Sequence, residues 1–226
     1  MSLSALRVIT APVGHPVTVA EAKRHLRITH TLDDSYIGDL IAAATRWAEN
    51  QTRRKLVDQI VELRMDAFPQ RGYCIYSQMP FFDSIGSSPV SLHRSNLPWL
   101  RDRAIYLPGG VVSAVEFVKY FDAASVEQTL SGPSSTVPGT DYQEDLTDSD
   151  IALIAPAING DWPTTATQIN AVSIRYSVGE SADDVAEDIK SAIRFRVADM
   201  YLARDGQANE TSAASALLEP YRIFSA

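Results

Sequence analysis

"RWAENQTRRKLVDQIVEL", residues 46–63, contains the change of period on which the fold turns. Before it, Ile37, Leu40, Ile41, Ala44, Trp47 and Ala48 recur at helical spacing. After it, Val57, Gln59, Val61, Leu63, Met65 and Ala67 alternate with Asp58, Ile60, Glu62, Arg64, Asp66 and Phe68. A helix of about twenty residues, roughly 30 Å long, therefore runs into a long strand that Pro69 ends. The join carries three consecutive cations, Arg53, Arg54 and Lys55. Cations at a helix C-terminus complement the negative end of its dipole, by about 0.3–1 kcal/mol each when exposed. The cluster is expected to finish the helix.

Upstream, Thr18-Val-Ala-Glu21 has the spacing of a capping box and predicts a first helix to about Ile28. Val19, Ala22 and Leu26 fall on one side of it, and Lys23, Arg24 and Arg27 on another. Asp33-Asp34-Ser35 supplies anionic residues to the start of the second helix. Downstream, residues 70–104 are irregular and aromatic, with Tyr73, Tyr76, Phe81, Phe82 and Trp99. Strand patterns return at "AIYLPGG" and at Val111–Phe121, which Asp122-Ala-Ala-Ser125 joins to "VEQTL" as a hairpin. A second loop covers 131–140, and "IALIAP" and "NAVSIRYSVGES" read as two further strands. In the latter, Val172, Ile174, Tyr176 and Val178 alternate with Ser173, Arg175 and Ser177, which predicts one buried and one wet face.

Ser181-Ala-Asp-Asp184 is placed to cap a third long helix, in which Val185, Ile189, Ile193, Val197 and Tyr201 lie four apart. Gly206 stops it, and a shorter helix from about Thr211 to Leu218 ends at Pro220 and releases the tail "YRIFSA". The expected class is α+β: a helical bundle from N- and C-terminal helices with an inserted antiparallel β block. The boundaries are 1–55 for the helix pair, 56–180 for the β-rich insert and 181–226 for the C-terminal helices and tail. Those last helices are expected to pack on the first pair as one domain.

Composition bounds the function. Of 226 residues, 45% are hydrophobic and 21% charged, and a single cysteine, Cys74, excludes an intramolecular disulfide framework or a zinc site with two thiolates. The chain lacks a secretory pattern or a membrane-length apolar run, so an unexported chain without a membrane partner is expected. The net charge is −8, with eight Lys/Arg against five Asp/Glu in residues 1–55 and twelve against twenty-three in the remainder. Such an acidic body is a poor grip for DNA, whose binders release counterions through a basic face. A helix-turn-helix built on the N-terminal pair is the alternative, but a recognition helix exposes polar and basic residues, and "YIGDLIAAATRWAEN" is mostly apolar and acidic.

Chemistry leaves little trace. There is no Gly-x-Ser-x-Gly, phosphate loop, His-Glu-x-x-His or Gly-x-Gly-x-x-Gly pattern. Glu21 and His25 make an i, i+4 corner that reads as a surface contact, and His15, His30 and His93 have no convergent partners in sequence. The run Asp141, Glu144, Asp145, Asp148, Asp150 lacks the Gly and closing Glu of a calcium loop and reads as a solvated strand edge. Cys74 has only Arg71 as a local cation and reads as inert. No cofactor, metal or catalytic residue is expected, and the chain reads as a non-enzyme. A hydrolase or ligand-binding module using 70–103 as a lid is the third reading.

The helix pair "TVAEAKRHLRITHTLDDSYIGDLIAAATRWAENQTRRKL", followed by "VELRMDAFP", "IYLPGGVVSAVEFVKYFDAASVEQTL" and "VSIRYSVGES" before a helix, resembles the head–tail connector (adaptor) family of tailed bacteriophages, prophages and phage-derived particles. The resemblance covers roughly residues 15–68, 104–130 and 170–204. It implies a virion structural protein at the head–tail junction, made in the bacterial host cytoplasm. It also implies self-assembly into a ring, usually twelve-fold, beneath the portal protein, with a monomer before portal contact compatible with that role. Such a ring carries genomic double-stranded DNA through its lumen without sequence-specific binding and offers a platform to the neck or tail completion protein. In this setting Arg53, Arg54 and Lys55, with the tail residues Tyr221, Arg222, Ile223 and Phe224, are the expected portal or subunit contacts.

Overall fold

The computed structural model describes residues 5–70, 103–133, 141–148, 150–203 and 212–223. The chain is α+β and divides into two compact units. One, the sheet unit, holds residues 1–10 and 60–177 with the last two residues; the other, the helical unit, holds 11–59 and 178–224.

The helical unit contains α1 (Val19–Leu26), α2 (Asp34–Thr52), α3 (Glu187–Leu202) and α4 (Ser212–Leu218), the last followed by a 3₁₀ turn, Glu219–Tyr221. The expected stripes form its core: Ile37, Leu40, Ile41, Ala44 and Ala48 of α2 meet Ile189, Ala192, Ile193 and Val197 of α3, with Ala22 and Leu218 from the short helices. Fully burying one such aliphatic side chain contributes about 1.5–3 kcal/mol. The capping box is present. The Glu21 amide donates to Thr18 Oγ1 at 3.2 Å, and the Thr18 amide donates to Glu21 Oε2 at 2.7 Å. α1 ends at Leu26, slightly before Ile28, because Arg27 takes the left-handed conformation and turns the chain.

Two start signals act differently from expectation. Asp33 makes no side-chain cap to α2; its Oδ2 accepts instead from the Tyr201 hydroxyl at 2.5 Å. Ser181–Asp184 forms a turn rather than the cap of α3, which begins at Glu187 after Ala186. Lys190, almost buried, reaches back from the first turns of α3 to donate to Asp183 O at 2.7 Å, so a cation satisfies the turn's carbonyl. Gly179 links this segment to the chain after α2. Its φ is +103°, and a Cβ there would lie 2.5 Å from Val57 O, so only glycine fits beside the Val57–Glu180 bridge.

The sheet unit holds two sheets. One has the order β1-β2-β8-β4-β5, made from Ala5–Thr10, Gln59–Met65, Val172–Val178, Val112–Phe121 and Glu127–Leu130. The other has the order β3-β7-β6, made from Ile105–Leu107, Ala152–Pro156 and Tyr142–Asp145. The hairpin at 122–125 forms as its sequence requires. Asp122 Oδ1 accepts the amides of Ala124 and Val126, and β4 pairs antiparallel with β5. β8 alternates as expected, with Val172, Ile174, Tyr176 and Val178 buried. The Tyr176 hydroxyl, pushed to a high pKa by burial, donates to Pro108 O at 2.7 Å and so ties the two sheets. Arg103 supports the same core from the far side: its Nη1 donates to Asp161 Oδ1, while Trp162 donates to Arg103 O and stacks on Phe68 at 4.7 Å.

β1 was not legible. It lies inside the stretch read as leading into the helix pair, yet pairs antiparallel with β2, with Arg7 opposite Glu62 and Val8 opposite Val61. Its alternation is short and every residue of it is exposed, so the sequence shows neither a buried face nor a turn linking it to β2.

Candidate functional site

The cations and the tail, 167 positions apart between Arg54 and Tyr221, meet at one end of the helical unit. Arg53 closes α2 from the left-handed region, at φ 58°, so the backbone turns at the first cation of the cluster. Arg54 Nε then donates to Tyr221 O at 2.6 Å, and the Ile223 amide donates to Thr52 O at 2.9 Å. The last carbonyls of α2, which no intrahelical amide can reach, thus gain a partner from the tail. Lys55 lies 3.3 Å from Glu49 Oε2, and the other Glu49 oxygen accepts the Leu56 amide at 3.1 Å. The expectation of cations simply complementing the dipole is therefore refined: no basic residue sits in the last turn of α2, Arg53 closes the helix by its backbone, and Arg54 and Lys55 act through Tyr221 and Glu49.

On the tail side, the Tyr221 hydroxyl donates to Asp188 Oδ2 at 3.2 Å. Its pKa is raised, first by burial and then by the Asp188 carboxylate, with Arg54 opposing. Arg222 Nη1 lies 3.9 Å from Glu219 Oε2. So Arg54, Tyr221 and Ile223 are brought together, Arg53, Lys55 and Arg222 adjoin them, and Phe224 lies outside the described residues. The start of the tail folds back on its own unit.

The other sequence candidates separate. Glu21 is held by Thr18, whose amide and hydroxyl lower its pKa. His25 stands edge-on to Phe195 at 5.5 Å, so the i, i+4 corner is a packing contact. Glu21, Arg24, His25, Ser191, Arg194 and Phe195 line a shallow groove of about 310 Å³. Among the described residues no group of three His, Cys, Asp or Glu converges as metal ligands. No helix among them is long and apolar enough to cross a membrane. The acidic run begins at Asp141, just before the edge strand β6, and continues along β6 and the loop after it. Asp145 Oδ1 accepts from Thr147, and Asp148 Oδ1 accepts the Asp150 amide. Burial raises the Glu144 pKa. Cys74, His93 and the aromatic excursion at 71–102 lie outside the described residues. α2 buries Ile37, Leu40, Ile41, Ala44, Thr45, Ala48 and Thr52, which leaves it the packed axis of its unit rather than a helix free to enter a groove.

In the sheet unit Arg7, Glu62, Arg64 and Arg175 share a face, which the sequence did not show. The alternation of β2 and β8 marks which residues point away from the core, but only the pairing order places those rows side by side.

Residues 16–72 match the family model described as phage gp6-like head-tail connector protein. No curated protein matches the chain. Among solved structures, a chain in the neck of an empty GTA particle, computed with C6 symmetry, aligns with a TM-score of 0.67 at 21% identity, covering 98% of this chain and 97% of that one. A chain of the virion of a native gene transfer agent (GTA) particle aligns at 0.65 and 22% identity, covering 98% and 96%. A chain in the neck of a native GTA particle, computed with C12 symmetry, aligns at 0.65 and 20% identity, covering 98% and 97%. The resemblance to connectors thus holds in sequence over residues 16–72, and the fold is shared with these particle chains over nearly its whole length.

Proposed function

We propose that this chain is a head–tail connector, a non-enzymatic virion protein that forms a ring beneath the portal. The observation that carries the proposal is the family match over residues 16–72, which spans α1, α2 and β2, the elements around which the helical unit is built. The whole-length likeness to chains from necks computed with C6 and C12 symmetry supports assembly as a closed ring at the head–tail junction. Twelve copies would extend the DNA channel and present a platform to the neck or tail completion protein, with the genome passing rather than being held. An acidic chain suits that passage, because like charge keeps phosphates from lodging.

The portal contact falls at the end of α2, where Arg53, Arg54 and Lys55 meet Tyr221, Arg222 and Ile223, with Phe224 beyond. The test is attachment of purified chain to purified portal, read as particle mass with and without portal. Deleting residues 220–226 should leave the helical unit folded and weaken attachment by about tenfold or more, the loss expected when an apolar anchor is removed. Unchanged attachment of the truncated chain would remove the tail from the contact. Failure of the full chain to join any portal assembly would remove the connector function itself.

A further inference from the structure

A row of charged side chains crosses all five strands of the larger sheet on the face opposite its core. Arg7 of β1 lies in register with Glu62 of β2. Glu62 Oε1 accepts from Arg64 Nε at 2.5 Å, and Oε2 accepts from Arg175 Nη2 of β8 at 2.9 Å. The Arg175 guanidinium covers the Phe117 ring of β4 at 4.7 Å, Lys119 lies 5.1 Å from the same ring, and Lys119 Nζ reaches Glu127 of β5 at 2.9 Å. At the usual strand spacing the row is roughly 19 Å wide.

The row is unbalanced. Lys119 and Glu127 cancel, but Arg64 and Arg175 share one carboxylate, and that carboxylate is 3% exposed while the two arginines remain 39% and 32% exposed. The Arg175 Nε hydrogen is buried without an acceptor among the described residues. No acid pairs with the Arg7 side chain among them either. Among the described residues about two positive charges of the row are therefore unmatched, in a unit that is otherwise acidic. The same unit has the complementary surface: β6 is a sheet edge carrying Glu144 and Asp145, flanked by Asp141, Asp148 and Asp150. Glu144 is half-buried, and no cation pairs with it among the described residues.

We propose that the arginine row of one copy receives the acidic β6 edge of the next, as a head-to-tail subunit contact. Two different surfaces on one chain make a heterologous interface, the kind that closes into a ring. This rests on the connector reading, which requires a ring. Protein carboxylates suit the row better than phosphates, because Glu62 and Glu127 are interleaved with the cations and would repel a continuous phosphate backbone.

Charge exchange tests it without portal. One variant carries Arg7→Glu and Arg64→Glu on the row, and the other carries Glu144→Lys and Asp150→Lys on the edge. A milder row variant, Arg7→Glu alone, leaves both partners of Glu62 in place in case the double change unfolds the sheet. Self-association is measured by sedimentation at low salt, with folding checked by circular dichroism. The wild-type chain should associate, and each variant alone should associate about tenfold more weakly. An equimolar mixture should recover association to within about threefold, because each altered row then meets an opposite edge. A wild-type chain that stays monomeric at low salt, a mixture that recovers nothing, or a row that binds duplex DNA and loses it on Arg7→Glu would each overturn the proposal. None of these outcomes bears on portal attachment, so the connector reading stands or falls separately.

Discussion

The two units place their charged groups in different parts of their elements. In the helical unit they gather at the ends of elements: Glu21 in the capping box, Lys23 on Asp34 at 2.6 Å, Glu49 on Lys55, and Lys190 on the carbonyl of Asp183. In the sheet unit they run across the middle of a face, with Glu62 almost buried between Arg64 and Arg175. End charges decide where a helix starts and stops while the apolar core carries the stability. A desolvated charge in mid-sheet is different, since its partners become costly once it is gone. Stability in the first unit should therefore follow apolar volume, and in the second it should follow protonation.

The largest expected effect tests the first half. Ile193 is fully buried between α2 and its own helix, and Ile193→Ala removes three carbons from a core with no polar group to relax toward. A loss of about 3–4 kcal/mol is expected, read from chemical denaturation, and it should hold equally at pH 5 and pH 8. A loss below about 1 kcal/mol would mean that the helical unit depends on its end charges after all.

Glu62→Gln tests the second half, with an expected loss of about 1–2 kcal/mol at neutral pH, reduced because Arg64 and Arg175 keep part of their hydration. Burial pushes the Glu62 carboxyl up, but hydrogen bonds from Arg175 and Arg64 outweigh it and hold the pKa below the ordinary carboxylate range. A lowered folded pKa gives stability that is fully present above the unfolded value, about 4.3, and is lost as pH falls through the folded value. The wild-type advantage over Glu62→Gln should therefore be constant above about pH 5 and vanish in stronger acid. An advantage that persists undiminished in acid would show the carboxylate's charge to be irrelevant.

How legible each region was follows from the same division. Helix content came from periodicity that the fold had to respect: every residue of the α2 stripe named from sequence except Trp47 is buried, and Trp47 packs against the core at its margin. The Thr18 cap was readable because both partners lie three residues apart. The Asp33 signal misled because a distant partner, Tyr201, took its carboxylate, and the Ser181 signal because the segment turns and Lys190 reaches back to Asp183 O. The arginine row and β1 were not readable at all, because both depend on strand order, which local pattern does not encode. The candidate contact region fell between these cases. Its residues could be named from charge and apolarity, but their meeting could not, since Arg54 and Tyr221 are 167 positions apart.

That meeting supplies the smallest test. Arg54 Nε to Tyr221 O is a single charge-assisted hydrogen bond in a half-buried position, so Arg54→Ala should lower stability by only about 1–2 kcal/mol. Its local effect should be larger than its global one. With that hold gone, the hydrogen bonds that remain to the tail include the Ile223 amide on Thr52 O and the Tyr221 hydroxyl on Asp188. Limited proteolysis after Arg222 should therefore speed up by about fivefold, tracking the open population when opening is fast relative to cleavage. Equal cleavage of wild type and variant would show the tail to be held by its apolar contacts alone, and the charge at the end of α2 would then need another use. The same variant offers a direct comparison with Ile193→Ala, since one should loosen an end while leaving the core intact and the other should do the reverse.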